Sequence, residues 1–269
     1  MDWLTSTLVT GAVISIGWVI ATQVFPKMMA DRVTRPPEEP LTTLPDQPDQ
    51  PQIVVDAETS IMSNKHTHDV FVAEASDLVL QARVAGMFAP DVLAEAAEKV
   101  GDAVKMRPGS FDANMLAGEI GVKRAELADD AEAVPLLEEA AVRFATATET
   151  KKGVIDAYVG RGWAHLERAY RLDGDAAAVA FLDAAEVFLK GFRVSPQNLF
   201  ILRGWGLAID GMARHLGDNA APVAAAEDSY RLALAEHRGG DHELHVWFAE
   251  LRASDDPPKI PMPAVRDLR

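Results

Sequence analysis

Two tripeptides, Arg161-Gly162-Trp163 and Arg203-Gly204-Trp205, repeat each other at a distance of 42 residues, and Trp247 continues the same step. Outward from them a second register appears. Ala96-Val100-Ala103, Ala140-Phe144-Ala147, Ala184-Phe188-Gly191 and Ala226-Tyr230-Ala233 begin 44, 44 and 42 residues apart. Leu93, Leu137, Phe181 and Val223 each lie three residues before the first member of these sets. Separations of three and four put each set on one face of a helix. Small residues at two of the positions admit a neighbouring helix closely, and the larger residue fills the space between. A glycine lies 22 residues before each of the last three alanines: Gly118, Gly162 and Gly204. Two independent registers with one period identify an internal repeat.

Each unit reads as a helix pair. The first members are expected near 69–87, 112–128, 154–172 and 197–215, and the second near 90–106, 131–148, 176–193 and 220–237. Pro90 and Pro196 suit first-turn positions, with Ser195 placed to cap the helix that Pro196 opens, and Gly217-Asp218-Asn219 suits a turn. A ninth helix near 241–253 carries Trp247 and closes the array as a half-repeat. The expected fold is all-α: about four and a half helical hairpins over residues 64–253.

The composition agrees. Apolar residues make up 48% of the 269, which excludes wholesale disorder, and the aromatic share of 7% beside abundant alanine favours packed helices over sheet. With no cysteine, disulfides, iron–sulfur clusters, thiolate zinc sites and cysteine nucleophiles are excluded. The chain carries 41 Asp and Glu against 26 Lys and Arg, a formal charge of −15. That balance argues against a general nucleic-acid binder, which needs a basic surface to displace condensed counterions.

Ahead of the repeats lies a different kind of segment. Residues 3–25, from Trp3 to Phe25, carry no charge, and Pro26 follows at once. As a helix this stretch is about 35 Å long, enough to cross a hydrocarbon core of about 30 Å. A cleavable signal peptide is the competing reading, but no positive residue precedes the run and no A-x-A site follows it. Residues 1–26 are therefore expected to be a retained transmembrane anchor. Lys27, Arg32 and Arg35 sit just after it, so the repeats are expected on the cytoplasmic side, with the periplasmic side as the alternative. Trp3 suits the interface, and Gly11/Ser15 and Gly17/Ala21 form small-x-x-x-small pairs. Residues 27–63 follow as an acidic linker with Pro36, Pro37, Pro40, Pro45, Pro48 and Pro51, expected to be extended. Residues 254–269, with Pro257, Pro258, Pro261 and Pro263, form a proline-rich tail.

The spacing Ala96-x3-Val100-x2-Ala103-x4-Pro108, repeated at Ala184, Phe188, Gly191 and Pro196, resembles the second-helix signature of tetratricopeptide repeats. The period of 42 to 44 exceeds the roughly 34 residues typical of that family. The resemblance implies a helical-hairpin solenoid that scaffolds protein–protein contacts rather than catalysing a reaction. With the anchor, the chain resembles bacterial membrane-tethered assembly factors, apart from a class with a cysteine-rich metal module, which the absent cysteines exclude.

No catalytic constellation stands out. His242-Glu243-Leu244-His245 lacks H-E-x-x-H spacing, although His242 and His245, with His237 or Asp241, form a conceivable surface metal site. His66-Thr67-His68-Asp69 is the other histidine cluster. Gly101 and Gly109 lack the spacing of a phosphate-binding loop, and Asp129-Asp130 and Glu138-Glu139 suit helix starts and solvated faces. No enzyme, metal or cofactor is expected. The candidate binding surface is cationic: Arg161, His165 and Arg168 at i, i+4, i+7, with Arg203 repeating Arg161 and Arg214 further along the same helix. The resemblance implies that first helices line a concave surface, where such a strip would grip an acidic peptide through forked arginine contacts. The alternative is that these arginines neutralise acidic neighbours within the fold.

The expected function is a membrane-anchored scaffold that recruits partner proteins, with copies of itself among them. A membrane-surface organiser acting through self-assembly or lipid contact is the alternative, and a metal protein or enzyme ranks below both.

Overall fold

In the computed structural model, residues 57–84, 89–218, 220–237 and 242–254 are described. Among them there are nine helices and no strand. They are α1 (Ala57–Val84), α2 (Pro90–Met106), α3 (Phe111–Leu127), α4 (Asp130–Thr150), α5 (Ile155–Ala169), α6 (Gly174–Val194), α7 (Leu199–Leu216), α8 (Ala221–Glu236) and α9 (His242–Ala253). The transmembrane segment expected at 3–25, most of the linker and the tail beyond Ser254 lie outside the described residues. No described helix is long and apolar enough to cross a membrane.

Successive helices pack against each other from α1 to α8, and α1 touches α3, α3 touches α5, α5 touches α7 and α7 touches α9. The first helix of each pair thus meets the first helix of the next. This arrangement of consecutive pairs is compatible with a helical-repeat solenoid.

Helix ends follow the local chemistry. Ser110, Asp129 and Asn198 accept hydrogen bonds from the amides of Ala113, Glu132 and Ile201, each satisfying an otherwise orphaned donor in a first turn. Pro90 opens α2 as expected. Pro196 does not open α7: Ser195 ends α6, and the helix starts only after Asn198, whose side-chain carbonyl is the better-placed acceptor. Gly217 ends α7 at φ +84°, a conformation that disfavours any residue with a Cβ. The other departure is α1, which begins at Ala57 rather than near 69. No proline or glycine lies between Pro51 and Gly86, so nothing in the chain breaks the helix there.

The repeat register is the core. Leu93, Leu137, Phe181 and Val223 are buried, as are Val100, Phe144, Phe188 and Tyr230, and so are Ala96, Ala140 and Ala184, with Ala226 half-buried. The glycines explain why the aromatics fit. A Cβ on Gly118 or Gly160 would stand 2.7 or 2.6 Å from the Phe144 ring. On Gly162 or Gly204 it would stand 2.5 or 2.3 Å from the Phe188 ring. Phe144 and Phe188 therefore each wedge between a glycine of their own first helix and a glycine of the next. The G-x-G pairs Gly160/Gly162 and Gly204/Gly206 give one residue to the preceding unit's ring and one to their own, with Gly206 facing Tyr230, Trp247 and Phe248. At the N-terminal end the volumes are exchanged: Val100 replaces the ring, and Leu116 stands where a glycine would be, both buried in a smaller cluster shared by α1, α2 and α3.

At the other end Trp247 departs from the register it continues. Trp163 and Trp205 are buried, whereas Trp247 is half-buried over Gly206, and Phe248 takes the interior place against Tyr230 at 4.7 Å between ring centroids. No tenth helix among the described residues covers α9, so the tryptophan is left at an edge.

Glycine to alanine in a helix interior normally stabilises by about 1 kcal/mol. Gly204→Ala is expected to do the reverse, losing about 1–3 kcal/mol to overpacking against a ring held from both sides. Chemical denaturation checks this, and adding Phe188→Leu should return part of the loss by making room.

Candidate partner-binding surface

The five cationic residues do not form one strip. Arg161, His165 and Arg168 share an edge of α5 that faces Asp183 on α6 and Glu138 on α4. Arg168 donates to Asp183 Oδ2 at 3.2 Å and lies 3.9 Å from Glu138 Oε1, and His165 Nδ1 is 4.0 Å from the same Asp183 oxygen. Arg168 also lines an open cleft of about 400 Å³ between α4 and α6, with Glu138, Asp175 and Val179. No residue of α5 is fully exposed, so this edge opens between the second helices rather than on the outer face of the first.

Electrostatics follow from that enclosure. Burial, with Arg168 and Arg161 close by, lowers the His165 imidazole to about 4, so it is neutral at physiological pH. Burial also raises the Asp183 carboxyl, outweighing the opposing pull of Arg168. Arg161 has no hydrogen bond or ion pair among the described residues, and its Nε is buried without an acceptor. Arg203, on α7, is exposed and likewise has no ion pair among the described residues. Tyr230 is the group it acts on electrostatically.

Arg214 belongs to a separate cluster, three turns beyond Arg203. Asp210, 2% exposed, accepts from Arg214 Nε at 2.7 Å and from Arg252 Nη1 at 3.2 Å. Arg214 Nη2 also donates to the Ser254 carbonyl at 2.6 Å, and Arg252 pairs with Asp218. One buried carboxylate thereby fastens the end of α9 to α7. The sequence carried a signal for it: Arg168, Asp210 and Arg252 are successive 42-residue steps at one register position, with alternating charge. Arg171 plays a similar role between units, donating to Asp130 at 2.9 Å and to the Ala125 carbonyl at 3.3 Å.

The histidines fall apart as a set. His68 is buried and pairs with Asp69 at 2.9 Å. His237 is buried at the end of α8, and His245 is exposed on α9, in the cleft between those helices. Asp241 and the side chain of His242 lie outside the described residues. Among the described residues no group of three or more His, Asp or Glu is arranged to hold a metal ion.

No family model matches the chain, and no curated protein matches it. The class that the fold defines is an all-α protein of consecutive helix pairs.

Two outcomes follow from this geometry. Removing the shared acceptor with Asp210→Ala should cost about 2–4 kcal/mol, less than for a fully buried pair because both guanidinium groups keep some contact with water. Hydrogen exchange should show α9 losing protection ahead of the other helices. For His165, the lowered imidazole means that the unfolded chain takes up its proton first. The stability His165 contributes is complete above about pH 6.5 and is lost as pH falls towards 4, up to about 3 kcal/mol. His165→Gln should flatten that part of the stability–pH curve, and the imidazole resonances should titrate near 4.

Proposed function

We propose that this chain is a single-pass membrane protein that displays a tetratricopeptide-like array as a docking platform for other proteins. In this reading residues 3–25 span the membrane, the linker spaces the array from it, and the array faces the cytoplasm. Confinement to a membrane raises the effective concentration of any captured partner, so modest affinity suffices. The chain acts by binding rather than by catalysis.

One observation carries the reading. Arg161 and Arg203 occupy equivalent positions, 42 residues apart, on adjoining first helices, and neither has an ion pair among the described residues of a chain with a formal charge of −15. Unpaired guanidinium groups in so acidic a protein are suited to carboxylates of a partner. Arg168 and Arg214 are engaged by Asp183 and Asp210, and His165 is neutral, which leaves Arg161 and Arg203 for a partner's acidic groups. Lipid headgroups are the weaker alternative, since anionic surfaces repel a domain of this charge.

The test is affinity capture of the full-length chain from detergent-solubilised membranes, with quantitative mass spectrometry. Arg161→Gln combined with Arg203→Gln should deplete the specific partners at least about tenfold at unchanged helicity, and a chain lacking residues 1–26 should lose the membrane-associated ones. Unchanged capture by the double variant rejects this surface.

A further inference from the structure

The clefts between successive second helices are built from equivalent positions but open at different levels: the α4–α6 cleft opens beside Leu172 and Asp175, whereas the α2–α4 cleft opens at the level that Arg161 and His165 fill around α5. Residues 44 positions before Arg161, His165, Arg168 and Asp183 are Ala117, Gly121, Arg124 and Glu139. Around α5 the cleft edge is occupied by the long side chains of Arg161, His165 and Arg168. Around α3 the first two become alanine and glycine, and Gly101 on α2 adds further room: a Cβ there would meet nothing within 4 Å. What remains between α2 and α4 is a cavity of about 180 Å³, floored by the buried Val100 and Ile120 and the half-buried Leu136. That is close to the roughly 150 Å³ of an apolar cavity known to hold a benzene-sized guest.

Its charge differs from that of its neighbour as well. In the next unit Arg168 is paired with Asp183. Here the equivalent carboxylate, Glu139, is taken by Arg143 at 2.9 Å, a residue whose counterpart is the uncharged Val187. Arg124 is left with no hydrogen bond or ion pair among the described residues. The cavity lining therefore holds two guanidinium groups and one carboxylate over an apolar floor. The complementary ligand joins one small branched hydrocarbon group to one carboxylate. A long acyl chain is too large, and a bare anion leaves the floor in contact with water.

The geometry points to this cleft between α2 and α4 as a binding site for a short branched aliphatic carboxylate, with Arg124 holding the acid group. The same chemistry is offered by a free acid and by a chain-terminal leucine, whose side chain and carboxylate leave one carbon. The site is independent of the Arg161 and Arg203 surface.

The test uses the full-length protein and ligand-observed NMR with isocaproate, against its neutral isostere isocaproamide. Isocaproate is expected to bind in the millimolar range and the amide about tenfold more weakly, the size of one lost charge-assisted contact. Arg124→Gln should weaken isocaproate by a similar factor. Gly101→Leu should abolish binding by filling the cavity, at an unchanged or raised melting temperature, because the new side chain meets open space and leucine favours helix. A leucine-terminated peptide with a free carboxylate, run beside its amidated form, distinguishes the two sources. Tighter binding than isocaproate assigns the site to a chain end, and exclusion of the peptide assigns it to a free acid. Equal binding of acid and amide, unchanged binding in Gly101→Leu, or no saturable isocaproate binding overturns the proposal.

Discussion

The fold depends on one repeated contact, an aromatic ring from a second helix held between glycines of two adjoining first helices. Phe144 sits between Gly118 and Gly160, and Phe188 between Gly162 and Gly204. Because each ring touches its own unit and the next, the contact that closes a hairpin also joins hairpins together. Local and inter-unit packing therefore cannot be separated, and the array gains cooperativity from the arrangement. Glycine in a helix interior is unfavourable by about 1 kcal/mol relative to alanine, so its recurrence here implies a larger return from ring burial.

The ends of the array are handled by different means. At the N-terminal side, Val100 and Leu116 exchange volumes with the ring and glycine, giving a smaller core. At the C-terminal side α9 brings Phe248 onto Tyr230 and Trp247 over Gly206, and an ionic fastening is added to these rings. Asp210 gathers Arg214 and Arg252, and Arg214 donates to the carbonyls of Leu251 in α9 and of Ser254 just beyond it. A buried carboxylate with two guanidinium partners is directional, which fixes the position of a helix that also buries Leu244, Phe248 and Leu251.

The same register that builds the core also sets the surface chemistry. The cleft position filled by Arg161 and His165 around α5 is open around α3, where the chain has Ala117 and Gly121. Small changes of side-chain size at fixed repeat positions thus open a cavity where Arg161 and His165 stand in the next unit, while Arg124 and Glu139 keep the charges of Arg168 and Asp183. Divergence among repeats is in this sense where individual function enters a periodic scaffold.

Much of the helical core was legible beforehand because it is periodic. Alanine, aromatic and glycine registers report helix faces, and the expected second helices agree with α2, α4, α6 and α8 to within about two residues, near the usual precision of such boundaries. The candidate surface was legible only as a set of residue types. Helical spacing groups Arg161, His165 and Arg168 on one edge, but carries no information about what stands opposite. Asp183 and Glu138 come from other helices, and the carboxylate that claims Arg214 is buried in its own helix beside an arginine 42 residues away. By itself the sequence determined the helices and the faces they bury, since these follow from the local repeat of side-chain size. Which charges are neutralised, and at which level each cleft stays open, was decided by tertiary structure, because ion pairing and cavity volume depend on distances between helices far apart in the chain.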